Sequence, residues 1–149
     1  MKIHYLASFV FVGAILFAGA AKLQESSTTL KVVERATTDA VTDVGEEGDS
    51  VGDILTFANE VYDETNTDMI GTDNGYCVRT VVGESWQCYW SLTVKDGQIM
   101  VQGPFYDAGD SAMAIIGGTG GYANAHGQMS LHARNAEGSE YDFTYEIMR

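Results

Sequence analysis

Apolar and polar residues alternate with a period of two along most of the chain after residue 30. Such alternation, broken by Gly, Asp and Asn, is typical of β-strands that bury one face and expose the other. Helical periodicity is nearly absent over the same stretch. The pattern predicts eight strands, at Leu30–Ala36, Asp53–Asp63, Gly75–Val82, Trp86–Lys95, Gln98–Phe105, Ala112–Ile116, Ala125–Arg134 and Tyr141–Met148.

Most connections between the predicted strands are short, and Asp96-Gly97 between the fourth and fifth strands is a strong hairpin signal. The segment Thr37–Ser50 is acidic and poor in apolar residues, so we expect a mobile loop there. Eight strands with short links favour an all-β fold, an eight-stranded antiparallel closed barrel over about residues 30–149, since closure removes exposed strand edges. A two-sheet sandwich gives a similar alternation and is the alternative.

The first 20 residues have the pattern of a signal peptide. Lys2 precedes an uncharged apolar run, and Ala18-Gly19-Ala20 matches a small-x-small cleavage site. An uncleaved membrane anchor is the alternative, because the run approaches spanning length. We therefore expect a signal peptide at 1–20, a segment at 21–50 with the first strand and the acidic loop, and the main body of the barrel at 51–149. The mature protein would be secreted or periplasmic.

The charge of the chain excludes two classes of function. Its 149 residues suffice for one domain with a core, and they include 8 basic and 21 acidic residues, a net charge of −13. So acidic a protein repels nucleic-acid phosphates and anionic lipid surfaces. We therefore expect no nucleic-acid partner and no function at a membrane surface.

The chain has two cysteines, Cys77 and Cys88. If Val82-Gly83 forms the turn of a hairpin, the two residues lie directly opposite each other, at the spacing that a cross-strand disulfide requires. An even cysteine count in an exported chain favours the bridge. The alternative is two free thiols, one of them inside the barrel.

Four segments in the same order resemble the allene oxide cyclase family. Residues 51–63 (VGDILTFANEVYD) resemble its GD…F-x-N…YD strand, and residues 71–77 (GTDNGYC) resemble the turn and strand that follow. Residues 97–105 (GQIMVQGPF) and 114–122 (AIIGGTGGY) match its VQGP strand and its Gly-rich turn, which dirigent proteins share. The resemblance implies an eight-stranded barrel, commonly trimeric, that works without a cofactor.

The resemblance also implies roles for single residues. The family converts a fatty-acid epoxide into a cyclopentenone. Asn59 matches an asparagine that helps to hold a water near the epoxide, and Cys77 matches a cavity cysteine beside the delocalised cation. Phe105 stands where the family has a tyrosine, so the ring is kept and the hydroxyl is lost. These matches make Asn59 and Cys77 the candidate catalytic residues.

The first strand departs from the family pattern. When Glu34-Arg35 is aligned with the family's Glu-Arg, Lys31 takes the place of the catalytic glutamate and Val33 that of a second asparagine. In this alignment the first strand is expected to supply no catalytic carboxylate.

Several residues that share a strand face are candidates for the wall of a ligand cavity. Asn59 shares its face with apolar neighbours, and a buried amide must find a protein partner, a water or a ligand. Gly103 on the inner face of its strand is expected to leave space for a ligand. The predicted ligand-binding residues are Phe57, Val61, Val101, Gly103 and Phe105.

Three other motifs give weaker indications of a functional site. Gly118–Ala123 fits a dinucleotide fingerprint, but the alternation after it predicts a strand where phosphate binding needs a helix. His126 and His132 lack converging ligands, so no metal site is expected. Asp107 and Asp110 are interpreted as turn residues, with a role at the barrel mouth as the alternative.

These observations lead to a hypothesis about function. The chain is expected to bind an apolar small molecule and to steer its cyclisation or isomerisation without a cofactor. The alternatives are a dirigent-like auxiliary or carrier without catalysis, and a structural or defence protein. A catalyst should combine Asn59 with a further inward ionisable group, whereas a carrier should have an apolar lining throughout.

Overall fold

The computed structural model describes residues 26–149, so the predicted signal segment lies outside the described residues. All eight predicted strands are present, with one short additional strand and a 3-10 helix at Gly120–Tyr122. Over residues 26–149 no helix is long and apolar enough to cross a membrane. The strands are β1 Ser27–Arg35, β2 Ala40–Thr42, β3 Ile54–Asp63, β4 Met69–Val81, β5 Ser85–Val94, β6 Gly97–Tyr106, β7 Ser111–Gly118, β8 His126–Ala133 and β9 Glu140–Met148.

The strands form one closed antiparallel barrel. From β3 to β9 each strand pairs with the next in the chain, and β9 pairs with β1. The barrel closes where Val32–Arg35 of β1 pairs with Glu60–Asp63 of β3. The short strand β2 pairs with the same edge of β3 farther along, at Ile54–Thr56. The predicted eight-stranded barrel is therefore confirmed, and the sandwich alternative is wrong.

The inner face of the barrel is filled with large side chains. Because successive residues of a strand point to opposite faces, every second residue of each strand points inward. The largest of those that are fully buried include Tyr145, Phe143, Leu92, Ile99 and Met129. These side chains belong to one continuous hydrophobic core inside the barrel.

The structure corrects the expected space beside Gly103. A Cβ atom at Gly103 would lie 3.0 Å from both Cα and Cγ of Met113, on the neighbouring strand β7. The missing side chain of Gly103 is therefore compensated by Met113 and does not create a cavity. The glycine serves close packing between β6 and β7.

The acidic segment Thr37–Ser50 is anchored, contrary to the expected mobile loop. The Asp53 carboxylate accepts hydrogen bonds from the backbone N–H groups of Val44 (2.9 Å) and Ser50 (2.8 Å) and from the Ser50 hydroxyl (3.0 Å). These bonds hold the pKa of Asp53 below its usual range. A segment poor in apolar residues is thus ordered by hydrogen bonds between side chain and backbone.

Arg79 ties this segment to the barrel wall. Its Nε lies 2.6 Å from a carboxylate oxygen of Asp49, and its Nη1 lies 2.7 Å from both oxygens of Asp107. The guanidinium also lies over the ring of Trp86, at 4.0 Å from the ring centroid. The interaction assigns Asp107 to an ion pair that fastens the loop after β6.

Candidate functional site

One end of the barrel contains a pocket whose wall is mainly aromatic. Its enclosed volume is about 30 Å³, which is room for water, so a larger molecule can occupy it only if the rim side chains move. Several of those rim side chains are half-buried and belong to different strands. The lining residues are Glu34, Asp39, Leu55, Phe57, Cys77, Cys88, Trp90, Phe105, Leu131, Tyr141 and Phe143.

Five aromatic rings of the pocket form an unbroken series of contacts. Trp90 is stacked against Phe143 at 5.5 Å between centroids and meets the edge of Phe57 at 5.8 Å. Phe143 continues to Tyr141 at 6.5 Å, and Tyr141 to Phe105 at 6.0 Å. The rings come from β3, β5, β6 and β9, so they meet only because the barrel is closed. They give the pocket a continuous wall of ring faces and edges.

The two cysteines form a disulfide in this wall. The pairing of β4 with β5 places Cys77 directly opposite Cys88, as the proposed hairpin register requires, and the two are bonded. The predicted bridge is therefore confirmed. Cys77 has no free thiol, so its predicted role as a catalytic thiol does not apply, and its sulfur contributes to the pocket wall instead.

Asn59 is buried, and its side chain is fully hydrogen-bonded to protein groups. Its Nδ2 donates to Glu34 and to Asp39, at 2.7 Å in each case. Its Oδ1 accepts hydrogen bonds from the backbone N–H of Thr37 (3.1 Å) and from the N–H and hydroxyl of Thr38 (2.9 and 2.8 Å). The requirement for a partner is thus met without a water. Asn59 is a positioning residue that fixes two carboxylates.

The first strand does supply an inward carboxylate, contrary to the expectation from the family alignment. Glu34 pairs with Val61 across the β1–β3 junction and therefore shares the interior face of the barrel. Its exposed fraction is 5%, whereas Lys31 lies exposed on the opposite side. The carboxylate that the alignment placed at Lys31 is present three residues later.

A second buried carboxyl accompanies Glu34. Asp73 on β4 has an exposed fraction of 0%, and its carboxyl group interacts with that of Glu34 by charge and by hydrogen bonding. Burial, and then the negative charge of Glu34, raise the pKa of Asp73 well above its usual range. Both effects favour the protonated form of Asp73 over the ionised form.

Glu34 titrates close to neutral pH. Burial is the main cause that raises its pKa to about 7, the negative charge of Asp39 raises it further, and the hydrogen bond from Asn59 acts in the opposite direction. At pH 7 Glu34 therefore readily gains or loses a proton, beside an Asp73 whose raised pKa favours its protonated form. Such a pair can transfer protons to or from a bound molecule.

The five predicted ligand-binding residues have three different locations. Phe57 and Phe105 line the pocket. Val61 and Val101 are fully buried in the packed layer of the core. Gly103 lies against Met113, as described above. Sequence reasoning missed the three acidic residues, Glu34, Asp39 and Asp73.

The remaining candidates lie away from this pocket. The His132 ring nitrogen Nδ1 lies 2.6 Å from a carboxylate oxygen of Asp110, and both side chains are exposed. This contact raises the pKa of His132. Within residues 26–149 no group of three or more His, Cys, Asp or Glu side chains has the arrangement of a metal site.

Comparisons with known proteins agree with this architecture. The sequence model of the allene oxide cyclase family matches residues 20–135. Among solved structures, a pyocyanin demethylase is 25% identical, with a TM-score of 0.68 over 78% of this chain and 98% of that chain.

Two further structures share the fold at lower identity. The exo-specific intermolecular Diels-Alderase AbnU is 18% identical, with a TM-score of 0.66 over 85% of this chain and 99% of its own. The pterocarpan synthase dirigent protein GePTS1 is 14% identical, with a TM-score of 0.66 over 93% and 96%. At these identities the likeness is one of fold.

Proposed function

The chain belongs to the allene oxide cyclase family, and on that premise we propose that it binds a small, largely apolar molecule at the barrel mouth and directs its cyclisation or isomerisation. Glu34 would transfer the proton, and no cofactor would take part. The observation that carries the proposal is Glu34 itself, a buried carboxyl that titrates near neutral pH in the lining of an aromatic pocket.

The proposed reaction divides the work among three features of the pocket. The aromatic wall orients the reacting chain and keeps out bulk water, which lowers the entropic part of the barrier. Ionised Glu34 accepts a proton from the bound molecule, or faces positive charge that develops on it. Asn59 holds the Glu34 carboxylate in place.

The polarity of the pocket favours catalysis over simple carriage. A carrier was expected to have an apolar lining throughout, whereas this pocket includes Glu34 and Asp39. A buried ionisable group lowers stability, so the carriage of an uncharged apolar molecule gives no reason for it. The fold relationship to cyclases, Diels-Alderases and dirigent proteins supports the same reading.

The proposal is tested by the stereochemistry of a reaction that also proceeds unaided. The test substrate is the methyl ester of a fatty-acid allene oxide, generated in situ, which gives a racemic cyclopentenone in water. We expect the protein to give an excess of one enantiomer, measured by chiral chromatography. A variant with a blocked mouth, Leu55→Trp, serves as control and should return the racemate. A racemic product from the wild-type protein, together with saturable binding of the ester, would support the carrier alternative.

We further propose that the barrel forms a homo-oligomer, with the trimer of the family as the expected state. Strands β5, β6 and β7 contain no Asp, Glu, Lys or Arg, although the chain carries a net charge of −13. An uncharged outer face on so acidic a protein permits close approach of a second copy. Sedimentation equilibrium should give three times the monomer mass. Replacement of exposed Ile116 by Lys should shift the protein toward the monomer.

We also propose that the protein is exported after cleavage of residues 1–20. The disulfide between Cys77 and Cys88 supports this, because such bonds persist mainly in oxidising compartments. Intact mass spectrometry of the protein recovered outside the cytoplasm should give a chain that begins at Ala21.

A further inference from the structure

The charged side chains that line the pocket are all acidic. Its lining includes the carboxylates of Glu34 and Asp39 and five aromatic side chains, but no Lys or Arg. The guanidinium of Arg79, on the same strand as Cys77, is bound by two carboxylates and lies over Trp86. A ligand with a negative charge would therefore meet no cation in this pocket.

Aromatic ring faces attract positive charge. The π-electrons make a ring face negative, so a cation positioned over Trp, Tyr or Phe within about 6 Å is stabilised, most strongly when it is shielded from water. The series from Phe57 through Trp90 and Phe143 to Tyr141 and Phe105 offers several such surfaces. Carboxylates at the end of a shielded aromatic pocket strengthen the attraction by direct charge interaction.

The negative charges of Glu34 and Asp39 are not neutralised by the groups that these residues contact. Asp73 is fully buried beside Glu34 but does not line the pocket. The Asn59 amide is the hydrogen-bond donor to Glu34 and to Asp39, and an amide carries no charge. The positive charge that would balance Glu34 and Asp39 is therefore left to the ligand.

We propose that this pocket selects a planar organic cation, with its positive charge held between the aromatic rings and the carboxylates of Glu34 and Asp39. The inference rests on the site described under the proposed function and names the class of its substrate. Molecules of the same shape without the charge bind more weakly, and those with a carboxylate are excluded.

Binding of such a cation is linked to the ionisation of Glu34. The titratable groups that face Glu34 are Asp39 after β1, Asp73 on β4, and Tyr141 and Tyr145 on β9. Since the pKa of Glu34 is raised to about 7, a ligand cation favours the ionised form and releases a proton near that pH. The affinity for the cation therefore increases between pH 6 and pH 8.

The test compares three ligands of similar shape by isothermal titration calorimetry at pH 8 and low salt. They are the cation N-methylquinolinium, the neutral 4-methylquinoline and the anion quinoline-4-carboxylate. We expect N-methylquinolinium to bind at least tenfold more tightly than 4-methylquinoline, and quinoline-4-carboxylate not to bind. Equal affinity for the cation and the neutral compound, binding of the anion, or no binding of N-methylquinolinium at millimolar concentration would overturn the inference.

Matched variants locate the effect in the pocket. Asp39→Asn should reduce the affinity for N-methylquinolinium several-fold and leave that for 4-methylquinoline unchanged. Asp43→Asn is the control, because the Asp43 carboxylate lies in the same acidic segment but bonds the backbone N–H of Gly48 and does not line this pocket. Equal losses in both variants would show that only the general negative field acts, and would overturn the inference.

This test is independent of the test of catalysis. Selectivity for the cation with a racemic product from the allene oxide ester would refute the proposed reaction and leave the ligand class standing. An enantiomeric excess without any preference for the cation would refute the proposed ligand class and leave the proposed reaction standing.

Discussion

Replacement of Glu34 by Gln is expected to lower the rate of the directed cyclisation by about 100- to 10,000-fold, the usual contribution of a positioned acid or base. The amide keeps the size of the side chain and can still accept the hydrogen bond from Asn59. It cannot take up a proton from the bound molecule. The measurement is the initial rate of formation of the favoured enantiomer, compared with the rate in water.

The pH dependence of the wild-type rate gives a second signature of the same residue. Because the pKa of Glu34 is raised to about 7 and the ionised form is the active one, the rate should rise between pH 6 and pH 8. In the Glu34→Gln variant this rise should disappear. A wild-type profile that is flat over this range would contradict the proposed role.

The same variant should be more stable than the wild type at high pH. A carboxyl whose pKa is higher in the folded state than in the unfolded state costs stability as the pH rises from the unfolded value, 4.5, through the folded value of about 7. Above pH 7 the cost is about 3 kcal/mol, and below pH 4 it vanishes. Urea unfolding at pH 5 and pH 8 should therefore show that the advantage of Glu34→Gln grows with pH.

This combination separates catalysis from folding. A Glu34→Gln protein that is less active because it is unfolded would lose stability, whereas we expect it to gain stability. Glu137→Gln is the matched control, since Glu137 is exposed in the turn between β8 and β9. It should change neither the rate nor the unfolding free energy by a measurable amount.

Removal of the Cys77–Cys88 disulfide in the double variant Cys77→Ala/Cys88→Ala is expected to lower the free energy of unfolding by about 3 kcal/mol. The bond closes a short loop across neighbouring strands, with a sequence separation of 11, and both cysteines are buried in the pocket wall. The measurement is urea denaturation of the variant and of the wild type with and without a reductant.

The double variant and the reduced wild-type protein should give consistent losses of stability. Reduction of the wild-type protein should give most of the loss seen in the double variant, because both remove the same constraint on the unfolded chain. A double variant as stable as the oxidised wild type would contradict the structural role of the bond. Rates measured on the folded variant should stay within a few-fold of wild type, because no thiol takes part in the proposed reaction.

The barrel could be predicted from the sequence because a sheet with one buried face requires apolar and polar residues to alternate along each strand. The predicted register placed Cys77 opposite Cys88 correctly, although the turn is one residue longer than Val82-Gly83 and a register shift between Arg79 and Val81 compensates for it. The segment Thr37–Ser50 was misjudged because its order depends on hydrogen bonds to Asp53 and an ion pair with Arg79. Composition measures the capacity of a segment to bury apolar surface and does not register such bonds.

The acidic part of the site was missed for a different reason. Val32 and Val33 are adjacent and both buried, so alternation alone does not show which face of β1 points inward. Glu34 is consequently ambiguous in the sequence. Asp73 becomes conspicuous only when closure of the barrel pairs β1 with β3 and so brings Glu34 close to Asp73 on the next strand, β4. Asn59 was identified because a lone amide between apolar neighbours stands out within one strand.

The way in which β1 and β2 share one edge of β3 couples the chain between them to the position of Glu34. Residues 36–39 span the gap between two strand pairings, fixed at one end by Arg35 opposite Glu60 and at the other by Ala40 opposite Thr56. Within this span the N–H groups of Thr37 and Thr38 donate hydrogen bonds to Asn59, which in turn donates to Glu34. A substitution that displaces this span would therefore also loosen the amide that holds the Glu34 carboxyl group.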